Sequence, residues 1–377
     1  MNFEHRACLL LLLLLLPATV MAHKPSDSYL TLDLREDPPQ LRWDIALRDL
    51  EQAVGIDRNR DDQLTWGEVR RSHAAIAAYA AGRLAVLSGD ERCRLQVSEQ
   101  RLVDHSDGTY TVLPMAIDCD DAEPTTLQYR LLFDIDPSHR GQLRILTGSA
   151  ESFRLLSPDR STALIASEMG AAGAQSFLEQ LAEGVRHILQ GLDHLLFLIT
   201  LLLPAVMYRH DREWRPVLSG SGVASNLLAI VTAFTVAHSL TLSLAVFGLL
   251  VVPAAWVEPA IALSVLLAAL NNLWAFLPGP PWAIAFFLGL VHGLGFAFAL
   301  DDLGLSATMT AIALAGFNLG VELGQLLVVL LILPVVFTYR ATQAYRILGL
   351  QVGSATIAAV AIVWLVERSL HMQLIPL

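Results

Sequence analysis

Seven ionisable side chains lie inside long apolar stretches in the second half of the sequence, where such groups are costly and usually mark a site or a pathway. They are His187, Asp193, His194, His238, Glu258, His292 and Glu322, and the polar Asn318 accompanies them. A single buried histidine is usually a satisfied core residue, but four histidines and three carboxylates in five apolar segments are hard to explain by packing. Imidazole and carboxylate donors without a thiolate suit nickel, cobalt, zinc or iron better than copper(I). The sequence therefore predicts a binding site for a divalent transition metal.

Six apolar segments carry these side chains or lie beside them, and each is long enough to cross a bilayer, which takes about 20 residues. They cover residues 185–207, 223–249, 255–277, 281–300, 308–338 and 346–366. Arginines occur in the first and fifth loops between these segments, whereas the second and fourth loops contain no Lys or Arg. The positive-inside rule then places both chain ends outside the cell membrane. We expect an all-α, six-helix transmembrane bundle over residues 185–366, followed by an outer tail at 367–377.

The rise of an α-helix, about 1.5 Å per residue, gives each of these side chains a depth below the outer membrane surface. Two shells of ligands follow. The central shell comprises His194, His238, His292 and Glu322, with Asn318 beside them and Asp193 as a ligand or an orienting group. The outer shell comprises His187 and Glu258. On a straight helix, His187 and His194 would lie about 10 Å apart along the axis, so we expect that they do not share one ion.

The composition separates an acidic first half from this apolar second half. The chain is 54% hydrophobic and 16% charged with a net charge of −11, which argues against a wholly soluble or disordered protein and against a nucleic-acid partner. Residues 1–22 have the short apolar core and small-residue cleavage site of a secretory signal peptide rather than of an anchor helix. The predicted location is therefore the inner membrane of a bacterium, with the N-terminal domain in the periplasm.

The sequence pattern over residues 23–165 predicts a β-sandwich-like domain, which a linker at 166–184 joins to the apolar half. Apolar and polar side chains alternate in several short segments, which is the pattern of half-buried strands. These segments are 29–34, 41–47, 95–103, 110–117, 127–133 and 142–146. Turn residues separate them, as in a sandwich of short antiparallel strands.

A loop at 57–68 interrupts the predicted sandwich with the spacing of an EF-hand calcium site. Its candidate ligands are Asp57, Asn59, Asp61, the Gln63 carbonyl, Thr65 and Glu68. Asp62 stands where glycine normally makes the sharp turn, so we expect weak calcium affinity. A charged helix–turn–helix that binds no ion is the alternative.

Cys93 and Cys119 flank a predicted strand–turn–strand in the same domain. In an oxidising compartment this even pair favours a disulfide. Two unpaired buried thiols are the alternative.

Four motifs in the apolar half resemble the HupE/UreJ family of membrane proteins, in the branch with an extracytoplasmic domain before the spans. They lie at 184–197, 234–239, 291–297 and 317–325. The resemblance implies nickel or cobalt uptake for hydrogenase and urease. It also implies a His-x5-Asp-His metal signature, which falls on His187, Asp193 and His194.

These observations favour a permease in the lipid bilayer whose substrate is nickel or cobalt, with zinc as the alternative metal. An accessory or metal-sensing membrane protein, whose N-terminal domain binds a protein partner, is the second hypothesis. The third is an intramembrane metal-dependent hydrolase in which Ser239 or Glu322 has a catalytic role. No nucleotide-binding motif occurs in the sequence, so transport would be driven by a gradient, by protons or by a partner.

Overall fold

The structure is a computed structural model that divides into two compact units. A β-rich unit comprises His23–Glu179 and Ala299–Ala313, and a helical unit comprises Gln180–Phe298 and Leu314–Leu377. The described residues are 26–61, 63–105, 108–120, 122–148, 150–165, 172–210, 213–217, 220–295 and 305–370. The predicted signal peptide at 1–22 and most of the predicted outer tail lie outside these residues. The domain boundaries therefore stay predictions.

Strands dominate the described part of the β-rich unit, as expected. The strands are β1 (Asp27–Asp33), β2 (Gln40–Ala46), β3 (Leu84–Ser88), β4 (Glu91–Arg92), β5 (Arg94–Val97), β6 (Arg101–His105), β7 (Gly108–Asp118), β8 (Thr126–Tyr129), β9 (Arg140–Thr147), β10 (Ala150–Leu156) and β11 (Thr162–Leu164). Three short helices follow β2, namely α1 (Leu47–Val54), α2 (Trp66–Arg71) and α3 (His73–Ala81).

Two sheets share one hydrophobic core. The larger sheet has the order β10-β9-β1-β2-β7-β5, with β6 also paired to β7, and the smaller has the order β11-β8-β3-β4. In β1, Leu30 and Leu32 are buried in the core cluster that also contains Val86 and Tyr129 from the smaller sheet. Buried and less buried side chains alternate from Leu30 onward in β1, and this alternation is the reason that the strand can be predicted from the sequence. The prediction of a β-rich N-terminal domain is confirmed.

The predicted strand at 95–103 is wrong in one respect, because the chain breaks there into β5 and β6. Gln100 lies in the break and is buried. Its side-chain amide donates to Thr111 Oγ1 at 2.5 Å, and its Oε1 lies 3.0 Å from His73 Nδ1. A buried polar side chain requires such partners, so the local geometry follows contacts with residues distant in sequence.

A chain of buried polar groups joins the two sheets. Ser26 Oγ donates to Asp49 at 2.7 Å and lies 2.5 Å from His139 Nδ1, so His139 donates to Ser26. The other ring nitrogen of His139 therefore accepts from the Tyr129 hydroxyl, which lies 2.7 Å from Ser28 Oγ in β1. This arrangement requires a neutral imidazole, and burial accordingly lowers the pKa of His139 to about 3. Burial also raises the pKa of Asp49.

The predicted calcium loop lies between α1 and α2, and its described side chains bind backbone groups of the loop itself. Asp57 Oδ1 accepts from the Arg60 amide at 2.7 Å, and Asp61 Oδ1 accepts from the Gln63 amide at 2.9 Å. Glu68 Oε2 accepts from the Thr65 backbone amide at 3.1 Å, and Thr65 Oγ1 accepts from the Glu68 amide, which together form a capping box at the start of α2. Asp62 lies outside the described residues. Calcium binding therefore stays a prediction.

Cys93 and Cys119 lie side by side in the β-rich unit, with their sulfur atoms 1.99 Å apart. This is the pairing expected from the sequence. Whether the bond forms in the protein's own compartment stays a prediction.

Apolar helices make up most of the helical unit. In chain order, the elements that lie wholly or mostly in this unit are α4 (Ala172–Gln190), α5 (Leu192–Ala205), the hairpin β12 (Met207–His210) and β13 (Glu213–Pro216), α6 (Gly220–Val246), α7 (Ala254–Trp274), α8 (Pro281–His292), α9 (Ala307–Tyr339), a π-helical segment (Tyr345–Val352) and α10 (Gly353–Leu370). Four of these stretches are long and apolar enough to cross a membrane, namely Gly220–Val246, Ala255–Trp274, Ala307–Tyr339 and Tyr345–Leu370. The bent pair α4 and α5 adds a fifth if it forms one span.

The six-span prediction is confirmed only as a set of four to five apolar helices. Helix α8 has 12 residues, and the predicted span at 281–300 continues into residues 296–300, which lie outside the described part of the chain. Six spans, and the orientation that depends on them, therefore stay predictions. The expectation of a straight first span is wrong, since α4 and α5 meet at a 70° bend.

Candidate metal centre

A glycine hinge brings two of the predicted ligands together. Gly191 separates α4 from α5, and a Cβ atom there would lie 2.8 Å from both the His187 carbonyl oxygen and His194 Nδ1. Only glycine leaves this space open. The bend places His187, in the last turn of α4, against His194, in the first turn of α5, with ring centroids 4.6 Å apart. The expectation that these two histidines are too distant to share an ion is therefore wrong, because it assumed a straight helix.

A third imidazole from the middle of α6 completes a cluster. One ring nitrogen from each of His187, His194 and His238 can be chosen so that the three atoms lie within 4.8 Å of one another. Metal–nitrogen bonds of about 2.0–2.1 Å place ligand nitrogens roughly 3–4 Å apart, so small ring rotations would bring all three onto one ion. We call these three residues the histidine triad. They come from three different helices.

Hydrogen bonds show which nitrogen of His194 is available. Asp193 Oδ1 lies 3.0 Å from His194 Nδ1. Because a carboxylate can only accept, His194 carries its proton on Nδ1 and presents a lone pair at Nε2. Among the described residues Nε2 is buried without a hydrogen-bond partner. A carboxylate behind a histidine in this way is the usual orienting arrangement for a metal ligand.

His238, like His194, has buried ring nitrogen that lacks a well-formed hydrogen bond among the described residues. Its side chain is fully buried with Asn318 beside it, and neither ring nitrogen makes a well-formed hydrogen bond in the part of the chain that the structure describes. A buried polar atom without a partner costs roughly 1–3 kcal/mol, so such atoms are rare outside functional sites. A bound cation would satisfy the free nitrogen lone pairs of His194 and His238 together.

His292, on α8, lies next to the triad as a fourth imidazole. Its ring centroid is 5.1 Å from that of His194. Ser264 Oγ donates to the Ile261 carbonyl at 2.7 Å and lies 2.8 Å from His292 Nε2. Since a hydroxyl has one hydrogen, His292 donates from Nε2 and carries a lone pair on Nδ1. That atom is also buried without a partner among the described residues.

Aromatic rings enclose the imidazoles. The rings belong to Phe197, Phe234 and Phe317. Phe197 lies 4.8 Å from the His292 ring, and Phe317 lies 5.3 Å from the His187 ring. Apolar walls keep water away from the nitrogen lone pairs and lower the local dielectric constant, which strengthens interactions between those lone pairs and a cation.

Close packing at glycines holds these helices in place. A Cβ atom on Gly184 of α4 would lie 3.0 Å or less from the backbone of α9, and one on Gly320 of α9 would lie 2.1 Å from the Leu181 carbonyl oxygen. A Cβ atom on Gly293, directly after α8, would lie 2.2 Å from the His238 carbonyl oxygen. Small residues allow membrane helices to approach this closely.

The remaining predicted ligands lie outside the triad. Glu258 and Glu322 join no cluster of three donor residues among the described residues, so their roles as ligands stay predictions. Asn318 lies beside His238, and its buried Oδ1 has no partner in the described part of the chain. Asp193 contacts His194 rather than joining the triad.

Sequence reasoning missed Arg368 in the last turn of α10. Its Nη2 lies 3.6 Å from Asp193 Oδ2. An arginine at the end of an apolar helix is an ordinary feature of membrane proteins, so no sequence pattern marks it as part of a site. Only the packing of α10 against α5 and α7 reveals it.

Comparison with protein-family models bears on the same region. The model described as HupE / UreJ protein matches residues 163–368, which is more than half of the chain and includes the histidine triad. The chain belongs to the HupE/UreJ family. HupE/UreJ proteins are associated with nickel or cobalt transport or with the maturation of urease and hydrogenase, and they are generally transporters or accessory proteins rather than enzymes. A search of curated proteins gave no match to the chain.

Proposed function

We propose that this HupE/UreJ protein is a permease that carries a divalent transition metal, nickel or cobalt in type, across a bacterial inner membrane. The observation that carries the proposal is the histidine triad, in which three helices bring imidazole nitrogens within 4.8 Å of one another. Imidazole is a good ligand for nickel, cobalt and zinc. The family association favours nickel or cobalt among these metals.

The charge of the triad suits passage of the ion rather than permanent retention. Three neutral imidazoles replace part of the hydration shell of a dication but do not cancel its charge. The nearest described carboxylate, Asp193, is engaged with His194 and with Arg368. A transport site must bind its ion well enough for entry and weakly enough for release. A triad of neutral ligands whose neighbouring carboxylate is already engaged would hold a dication less tightly than a site with several free carboxylates, which favours release.

The proposed test measures metal accumulation in cells that express the full protein. His194→Ala and His238→Ala each remove one ligand and should abolish nickel or cobalt accumulation. His73→Ala is the matched control, because His73 lies in α3 of the β-rich unit and contacts Gln100. It should accumulate metal as the wild type does. Zinc, iron and copper assayed in parallel would identify the substrate.

Accumulation that is unchanged in both triad variants would refute the proposal. The accessory or sensing hypothesis predicts a different result, namely purified protein that retains one metal per chain without exchange while cells accumulate none. None of the contacts around the triad favours the hydrolase hypothesis, since Glu322 joins no cluster of three donors among the described residues.

We also propose that the β-rich unit lies in the periplasm. An oxidising compartment would allow the Cys93–Cys119 pair to form its bond. The loop at 57–68 would then meet the higher calcium levels outside the cell, where weak sites are useful. The periplasmic location and the exposure of this loop to calcium both depend on the predicted orientation of the apolar helices in the membrane.

A further inference from the structure

Arg368 connects three helices at one end of the helical unit. From the last turn of α10 its Nη1 donates to the Glu258 carbonyl oxygen of α7 at 3.3 Å, and its Nη2 lies 3.6 Å from Asp193 Oδ2 of α5. The guanidinium also lies 5.5 Å from the ring centroid of Trp364. The side chain is 25% exposed. These contacts hold a permanent positive charge in one place.

Asp193 divides its two oxygens between Arg368 and the metal centre. Its Oδ1 accepts from both the backbone amide and Nδ1 of His194, at 2.9 and 3.0 Å. Its Oδ2 faces the guanidinium. A single carboxylate therefore connects a histidine of the triad to a fixed arginine.

The charges of these groups oppose loading of the triad. The guanidinium of Arg368 is a cation with five N–H donors and no acceptor. A mostly buried carboxylate needs a nearby positive charge, and Arg368 supplies it to Asp193. A dication that enters the triad competes with Arg368 for electrostatic attraction to the Asp193 carboxylate. The positive guanidinium also repels the dication directly.

We propose that Arg368 is the built-in counter-cation of the metal centre, which lowers the affinity of the triad for its dication and so permits release. This inference rests on the proposed function. Arg368 is a positioning residue in this scheme, because it acts through Asp193 and does not bind the ion. Its removal should strengthen metal binding and slow metal movement.

The experiment measures Ni²⁺ and Co²⁺ affinity by calorimetry on the purified full-length protein, together with accumulation in cells. Arg368→Gln should raise the affinity about tenfold and lower the rate of accumulation. Arg368→Lys keeps the charge and should stay close to the wild type in both measurements. Arg346→Gln removes an exposed arginine just after the start of the π-helical segment, and is the matched control.

A fall in affinity in Arg368→Gln would overturn the proposal in favour of a purely structural contact. Equal affinity in Arg368→Gln and Arg346→Gln would overturn it as well. The visible absorption spectrum of bound Co²⁺ should stay unchanged in Arg368→Gln, since no ligand is removed, and an altered spectrum would also count against the proposal. If the wild type itself binds neither metal, both the proposed function and this inference fail. If it binds and only the arginine comparison fails, the inference alone is refuted.

Discussion

Gly320→Ala should disable the proposed metal centre without removing any of its proposed ligands. Gly320 on α9 packs against α4, and its added Cβ atom would lie 2.1 Å from the Leu181 carbonyl oxygen. Carbonyl oxygens are fixed by the helix, so the contact cannot be relieved by a side-chain rotation. The two helices must separate instead.

The size of this separation follows from the contact distance. Ordinary contacts of a Cβ atom begin at 3.4 Å, so relief from 2.1 Å requires a movement of about 1.3 Å. Functional constellations must be held within about 0.5 Å of their working geometry. Since His187 lies six residues, or about 1.7 turns, beyond Leu181 on α4, this movement would pull it away from His194 and His238. We expect metal affinity to fall at least about tenfold, with an overpacking cost of roughly 1–3 kcal/mol in folding free energy.

The assay is Ni²⁺ or Co²⁺ calorimetry on the purified full-length protein, with thermal unfolding measured in parallel. Gly222→Ala is the matched control, because Gly222 lies in α6 and a Cβ atom there meets nothing within 4 Å. Both substitutions replace a helical glycine by alanine, and the gain in intrinsic helix propensity is at most roughly 1 kcal/mol in either variant. The difference between them therefore isolates the helix contact.

Equal metal affinity in folded Gly320→Ala and Gly222→Ala would refute the reasoning. If Gly320→Ala does not fold, Gly324→Ala provides a milder perturbation of the same contact. Its Cβ atom would lie 3.0 Å from Ile188 Cβ. Affinity in that variant should fall between those of the wild type and a ligand deletion such as His187→Ala.

Two further predictions concern the β-rich unit. Because the pKa of His139 is about 3 when folded and about 6.5 when unfolded, the unfolded chain binds the extra proton between these values. The free energy of unfolding should therefore fall by about 1.4 kcal/mol per pH unit below pH 6.5, partly offset in acid by the raised pKa of Asp49. Tryptophan-detected unfolding from pH 7 to 4.5 should show a flatter profile in His139→Gln, and an identical slope would contradict this account. Calorimetry of the full protein with calcium should show weak binding that is lost in Asp57→Ala, whereas no heat with the wild type would exclude the EF-hand interpretation.

The strands were the easier part of the fold to predict. Leu30 and Leu32 alternate with polar neighbours in β1, and this period of two follows from burial of one sheet face. The interruption between β5 and β6 was not predictable, because it depends on Gln100 finding buried partners on α3 and β7. Contacts of this kind are made between residues far apart in sequence.

The types of residue at the proposed metal centre are a property of the sequence alone. Histidines in apolar segments predict a metal site because the membrane interior makes each of them costly. The neighbouring glycines indicate close helix packing, because a residue without a side chain lets two helix backbones approach each other. Family membership could also be proposed from these motifs, and the match over residues 163–368 confirms it.

Which of these groups meet was decided only in three dimensions. A seven-residue spacing on a straight helix separates His187 from His194, yet the 70° bend at Gly191 brings their rings to 4.6 Å. Likewise, Arg368 reaches Asp193 across 175 positions of sequence because α10 ends beside the start of α5. Helix directions and helix ends are set by packing summed over many residues, and no short stretch of sequence contains that sum.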